Sequence, residues 1–242
     1  MLSKNQIKFI TNLKQKKYRN EHQLFIVEGI KGVEELLSSG LELYHLYTTK
    51  ALQFTTSSDK ITLISAQELK KISSLTTPNT CLAIFEQKKT SPIPDKGLIV
   101  ALDDVRDPGN LGTIIRLCDW FGIEHLLCSL ETVDVYNPKV VQSTMGSITR
   151  VNIVYDHLPD YLQQTSRPTF GTFMDGKNVY QQSLPKEGII VMGNEANGIS
   201  AEIEQLVTER IAIPRFGTVQ KTESLNVATA TAVILSEFRR GE

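Results

Sequence analysis

The sequence predicts an α/β protein made of a small N-terminal unit and a larger domain with a mostly parallel sheet. Three observations predict it. Short aliphatic and β-branched runs alternate with stretches of helical periodicity along the whole chain. LIVAL (98–102) and IIVM (189–192) are continuous apolar runs, the pattern of strands covered on both faces. Between the two halves, QKKTSPIPDKG (87–97) has two prolines and no apolar period, as a linker does. The boundaries that follow are 1–90 for the first unit, 91–97 for the linker and 98–242 for the second domain.

In the first unit, Ile7, Ile10 and Leu13 at helical spacing predict a short amphipathic helix over 4–17. LFIVE (24–28) reads as a strand. A helix with Val33, Leu36 and Leu37 on one face follows and stops at Ser39-Gly40. LELYHLYTT (41–49) and ITLI (61–64) are strands, and Ser65 to Glu68 forms a capping box for the next helix. CLAIFE (81–86) is the last strand of this part.

The second domain restarts the alternation. Strands are predicted at 98–102, 123–128, 151–155, 169–173, 189–192 and 211–213. Helices are predicted near 112–121, 138–148, 157–165 and 200–208. A final helix, capped by Ser224, carries Val227, Ala230, Ile234 and Phe238. Such an alternation places helices on both faces of the sheet.

Composition removes several classes. At 242 residues, with 40% apolar and 22% charged residues, the chain is ordinary for a globular protein and not collagen-like, disordered or coiled. No stretch reaches the ~18 apolar residues of a membrane span, and the first twenty residues lack the apolar core of a secretory signal. The three cysteines, Cys81, Cys118 and Cys128, form no CxxC pair and read as reduced, mostly buried thiols of a cytoplasmic protein. The four histidines are scattered without ligand spacing, so no metal is expected.

A net charge of -1 argues against non-specific coating of nucleic acid, but it hides an asymmetry. Residues 1–20 hold Lys4, Lys8, Lys14, Lys16, Lys17 and Arg19 with no acid among them. That cluster is either a solvated helix face or a set of phosphate contacts.

In open α/β sheets ligands collect at the carboxyl ends of strands, and three loops there stand out. The first runs from Asp103 through Asp107-Pro108-Gly109-Asn110 into a helix carrying Arg116. It matches neither the P-loop nor the dinucleotide glycine fingerprint. Arg116 can point back toward this loop, or pair as a surface arginine with Asp104 or Asp107. The second, Met192 to Ser200, has Gly193 and Gly198 around Glu195. It fits a close ligand approach or an ordinary Asn-Gly turn. The third leaves a strand at Ile213-Pro214, crosses Thr218 to Glu223 and ends in Ser224-Leu225-Asn226, which fits a ligand loop or simple capping.

In this order the loops resemble the three signature motifs of the SpoU family of RNA 2′-O-ribose methyltransferases, in the SPOUT superfamily. DDVRDPGNLGTIIRLCDWFGI (103–123) carries the first motif and IIVMGNEANGIS (189–200) the second. Stretch 211–238, with IPRFGTVQKTESLNVATATAVILSEF, carries the third. NPKVVQSTMGSITRVNIVY (137–155) resembles the intervening helix and strand. FIVEGIKGVEELLSSG (25–40) resembles the family's small RNA substrate-binding domain. Two departures are visible: Ala228 stands where many members have serine, and TTPNTCLAIF (76–85) replaces a glycine-containing version.

The resemblance implies an α/β trefoil-knot (SPOUT) domain with a mostly parallel sheet, plus a small ribosomal-protein-like α/β domain at the N-terminus. It implies S-adenosyl-L-methionine held near Thr172, Gly193, Ile213, Ser224, Leu225 and Asn226, with Arg116, Asn110 and Glu195 as the catalytic set. Implied too are a homodimer and a structured RNA substrate, ribosomal RNA first and transfer RNA second, gripped through Lys14, Lys16, Lys17, Arg19 and Lys31. A non-catalytic RNA-binding or assembly factor that keeps the fold is the alternative from another class.

Overall fold

The computed structural model describes residues 1–51, 54–219 and 224–240. In chain order the elements begin α1 (Lys4–Asn12), α2 (Lys16–His22), β1 (Leu24–Glu28), α3 (Ile30–Ser38), β2 (Leu43–Thr48), β3 (Ile61–Leu63), α4 (Ala66–Ile72) and β4 (Cys81–Glu86). There follow β5 (Leu98–Leu102), α5 (Pro108–Trp120), β6 (His125–Ser129), α6 (Pro138–Thr144), β7 (Asn152–Asp156), α7 (Leu158–Gln164) and β8 (Thr169–Asn178). The chain continues through β9 (Gly188–Met192), α8 (Ala201–Glu204), β10 (Glu209–Ala212) and α9 (Val227–Phe238).

Two compact units share the chain. One is Met1–Lys89 together with Asp134–Thr149; the other is Thr90–Val133 with Arg150–Glu242. A single boundary near residue 90 therefore does not describe the packing. The segment 134–149, expected in the second domain, packs into the first unit. Its α6 buries Val140 and Val141, and Tyr136 lies 4.7 Å from Phe25 of β1 between ring centroids.

The first unit is a four-stranded sheet in the order β1-β4-β2-β3, antiparallel except for the β2–β3 pair. Ile10 and Leu13 from the N-terminal region and Leu69 and Ile72 from α4 pack with Ile26, Leu82 and Ile84 of the sheet. The expected single helix over 4–17 is in fact two, broken before Lys16. The capping box expected at Ser65 with Glu68 is present, and a second joins Ser3 with Gln6.

Arg19 is a correction. It was expected to meet RNA, yet only 2% of it is exposed. Its guanidinium pairs with Asp134 and donates to the carbonyls of Leu13 at 3.0 Å and Lys14 at 2.8 Å. A buried charge needs such partners, and these donors are no longer available to a phosphate.

The second unit is a parallel sheet of six strands in the order β10-β8-β9-β5-β6-β7. β5 and β9 are buried along their whole length, as their apolar runs require. Ile99, Ala101, Ile189 and Val191 pack with Leu158, Leu162 and Ile203, so α7 and α8 cover one face. Side chains alternate across a strand, and the register aligns Val100, Ile190 and Phe170 on the other face. There Phe170 meets Phe238 of α9 edge-on at 5.2 Å, and α9 packs on α5. Helices thus lie on both faces, as expected.

Helix limits differ in physically simple ways. α5 starts at Pro108, four residues before the expected 112, because Asp107 caps it and proline suits its first turn. α6 stops at Thr144, where Met145 turns left-handed. α8 spans only Ala201–Glu204, well short of 200–208. Asn226, not Ser224, caps α9, since its Oδ1 accepts the amides of Ala228 at 3.0 Å and Thr229 at 3.3 Å. The three cysteines are buried, and burial raises their thiol pKa values, Cys81 to about 11, which suppresses reactivity.

Removing one partner of a buried ion pair leaves the other uncompensated, at a cost of about 3–5 kcal/mol. Arg19→Ala should lower unfolding stability by about that amount in urea titrations, while Lys16→Ala at an exposed position leaves it unchanged. An Arg19→Ala midpoint equal to wild type would contradict the structural role.

Candidate functional site

The sheet switches direction between β5 and β9: the chain moves from β5 outward to β6 and β7, and later returns on the other side of β5. At such a point adjacent loops diverge and leave a crevice at the strands' carboxyl ends. The first two loops predicted from sequence leave from there. The amide of Asp103 donates to the carbonyl of Met192 at 2.9 Å, and Asp103 Oδ2 accepts the amide of Ser200 at 2.7 Å. Asn194 Nδ2 donates to the carbonyl of Asp104 at 2.7 Å.

The second loop is wound tightly. Asn194 and Gly198 exchange backbone hydrogen bonds at 2.9 and 3.0 Å, and Asn194 Oδ1 accepts the amides of Ala196 and Asn197. A Cβ on Gly193 would stand 2.2 Å from the carbonyl carbon of Gly198, so only glycine fits. Gly198 takes φ +71°, a left-handed conformation that favours glycine. The winding aims Glu195 at the start of α5.

Glu195 Oε1 accepts Asn110 Nδ2 at 2.9 Å and the amide of Asp107 at 3.1 Å; Oε2 accepts the amide of Arg106 at 3.2 Å. Partial burial pushes this carboxyl's pKa upward. The hydrogen bonds from Asn110 and from backbone amides, including those of Asp107 and Arg106, outweigh burial and hold it below the ordinary glutamate range. On its other side, Asn110 Oδ1 accepts Asn226 Nδ2 at 2.8 Å. Asn110 therefore links all three loops.

Beside this chain of amides and carboxylate lies a cavity of about 810 Å³, within the range of small-molecule sites. Thr172, Gly193, Ile213, Ser224 and Leu225 all line it. Asn226 does not, and acts instead as the helix cap and the bridge to Asn110. One wall comes from an irregularity in β8. While β10 advances from Arg210 to Ile211, its β8 partner jumps from Gly171 to Lys177. The intervening residues bulge away from the ladder, and Phe173 and Met174 join the lining. The sequence reading missed this wall, and also Asn194 as the tie between the first two loops. An asparagine beside a glycine after a buried strand was the available signal. Residues 220–223 of the third loop lie outside the described residues.

Arg116 is exposed on α5 and makes no hydrogen bond or ion pair with another described residue. The surface-pair reading does not hold, because Asp104 accepts Arg106 Nε at 2.7 Å and Asp107 caps α5. Among the predicted RNA contacts, Lys16, Lys17 and Lys31 are exposed, whereas Lys14 donates to the carbonyl of Ser73 at 2.7 Å. No group of three or more potential metal ligands occurs among the described residues.

A parallel α/β domain with a three-loop cleft at its switch point, on a chain with a small mixed-sheet unit, has the architecture of the SPOUT methyltransferases. An S-adenosyl-L-methionine-bound rRNA methyltransferase from Sinorhizobium meliloti superposes with TM-score 0.88 at 30% identity, covering 99% of this chain and 96% of that one. A TrmH-family protein from Porphyromonas gingivalis superposes with TM-score 0.91 at 40% identity over 100% of both chains.

The chain belongs to the SpoU rRNA Methylase family, which residues 97–236 match. Residues 4–83 match the MRM3-like substrate binding domain. The 23S rRNA (guanosine(2553)-2′-O)-methyltransferase RlmP of Bacillus subtilis is 28% identical over 245 residues, covering 98% of this chain and 97% of the relative.

The Glu195 geometry predicts a measurable titration. Its folded pKa is depressed, so its ionised form adds stability above the unfolded carboxyl range, and that stability is lost as pH falls through the lower folded value. In carboxyl NMR, Glu195 should titrate below the ordinary glutamate range and move up in Asn110→Ala. An unmoved Glu195 would show that Asn110 does not hold it.

Proposed function

We propose that this protein transfers a methyl group from S-adenosyl-L-methionine to a ribose 2′-hydroxyl of ribosomal RNA. The observation that carries the reading is the Asn226–Asn110–Glu195 chain, which joins the three loops beside the cavity. The cavity fits the donor: Ile213 and Leu225 offer apolar surface, and the glycine-bounded turn of Gly193 leaves backbone within reach. S-adenosyl-L-methionine supplies a methyl already activated by a sulfonium charge.

The protein's task is alignment, which can contribute roughly 7–11 kcal/mol, and management of the hydroxyl's proton and charge. Guanidinium groups are poor bases, so Arg116 is not the proton acceptor. It instead stabilises negative charge growing on the ribose oxygen, or holds the adjoining phosphate. One N–H of the Asn110 amide remains after the bond to Glu195 and is available to orient the hydroxyl. Glu195 fixes which way that amide faces.

Lys16, Lys17 and Lys31 supply phosphate contacts, which position RNA without reading its sequence. Lys14 contributes beside Ser73, and Arg19 does not take part. The protein acts as a homodimer in the cytoplasm. No helix among the described residues is long and apolar enough to cross a membrane.

The test is transfer of labelled methyl from S-adenosyl-L-methionine to purified ribosomal RNA, with transfer RNA as the comparison. Wild type should label ribosomal RNA at ribose. Removing a single oxyanion-type donor typically costs ~10²–10³ in rate, so Arg116→Ala should lose at least that while binding the cofactor normally by calorimetry. Turnover near wild type in Arg116→Ala would remove Arg116 from the mechanism. No labelling of any RNA by wild type would remove the function.

A further inference from the structure

A second cavity, of about 400 Å³, lies wholly within the first unit. Its wall joins two stretches far apart in sequence: β1 with the segment after α4 on one side, and α6 on the other. Glu28 is buried and lines it. One Glu28 oxygen accepts the Ser73 hydroxyl, and the other accepts the amide of Ser74 at 2.6 Å. Each carboxylate oxygen has capacity for a further donor. Ile26 and Val141 give the cavity apolar surface. The Gln142 amide and the Ser74 hydroxyl also line it and make no hydrogen bond with another described residue. Lys14, whose ammonium spends one donor on Ser73, and exposed Lys139 add positive charge.

The charge pattern selects the ligand. A buried carboxylate rejects a phosphate but accepts N–H groups. Lysines nearer solvent do the reverse. The apolar surface of Ile26 and Val141 suits the face of a flat ring. We propose that this cavity receives one unstacked nucleotide of the RNA substrate, with an amino-bearing base directed at Glu28 and its phosphate at Lys14 and Lys139. RNA is recognised chiefly at such splayed bases, through their edges and faces. The inference rests on the RNA-methyltransferase reading and adds to it a base-reading site in the first unit.

The test uses the full chain and two-dimensional amide NMR, with adenosylhomocysteine present to fill the larger cavity. GMP, AMP, CMP, UMP and inorganic phosphate are titrated separately. The amides of Ser74, Leu75 and Gln142 should shift with GMP, AMP and CMP, more weakly with UMP, and not with phosphate. Gln142→Trp, at an exposed position that fills the cavity, should raise the apparent Kd at least about ten-fold while adenosylhomocysteine still binds. Absent shifts, equal shifts with UMP, shifts reproduced by phosphate alone, or a Gln142→Trp affinity equal to wild type would each overturn the proposal. Failure of the methyltransferase reading shows separately, as no shift at Gly193 or Leu225 on adding adenosylhomocysteine.

Discussion

The candidate site depends on one partly buried carboxylate. Glu195 leaves a turn too tight for any side chain at Gly193 and faces the backbone amides that precede α5. Amides at a helix start have no partner within the helix, and the positive end of the helix dipole favours an anion there. Glu195 satisfies two of these neighbouring amides and, with its third bond, fixes the Asn110 side chain. Asn110 then has one orientation only: its oxygen faces Asn226 and its nitrogen faces Glu195. Three loops from distant parts of the chain are held by groups of matched hydrogen-bond sense.

This arrangement separates two jobs. The cavity lined by Thr172, Ile213 and Leu225 is shaped by the β8 bulge and the third loop. The exposed face that carries Arg116 stays uncommitted, because Asp104 and Asp107 are occupied by Arg106 and by the α5 cap. Arg116 does not line the cavity, and with no hydrogen bond or ion pair to another described residue its guanidinium is open to an anionic substrate. In the first unit the logic reverses: Arg19 is fully engaged and serves the packing, while Lys16 and Lys17 stay exposed.

Much of this was legible in the sequence. The buried runs at 98–102 and 189–192 identified the central strands, because parallel strands covered on both sides must be apolar throughout. Gly193, Glu195 and Asn110 stood out as glycines and polar residues clustered at strand ends, a pattern shared by ligand loops and ordinary turns, and the family resemblance assigned their roles. What sequence could not show is long-range pairing. That 134–149 packs on β1, and that Arg19 meets Asp134 across more than a hundred residues, has no local signal. The Ser224 cap was misplaced by two residues because serine and asparagine cap helices about equally well, and only the bonds from the amides of Ala228 and Thr229 to Asn226 Oδ1 distinguish them. The knot implied by the family resemblance likewise leaves no periodic trace, and physical expectation runs against threaded chains.

Glu195 and Asn226 share Asn110 without a direct bond between them, so their coupling tests the account most directly. A double-mutant cycle of Glu195→Gln and Asn226→Ala, read as S-adenosyl-L-methionine affinity by calorimetry, measures it. If Asn110 ties the loops into one body, the double variant should depart from the sum of the singles by about 0.5–3 kcal/mol. Additivity to within about 0.3–0.5 kcal/mol, as for independent sites, would show that the loops act separately and would contradict the account.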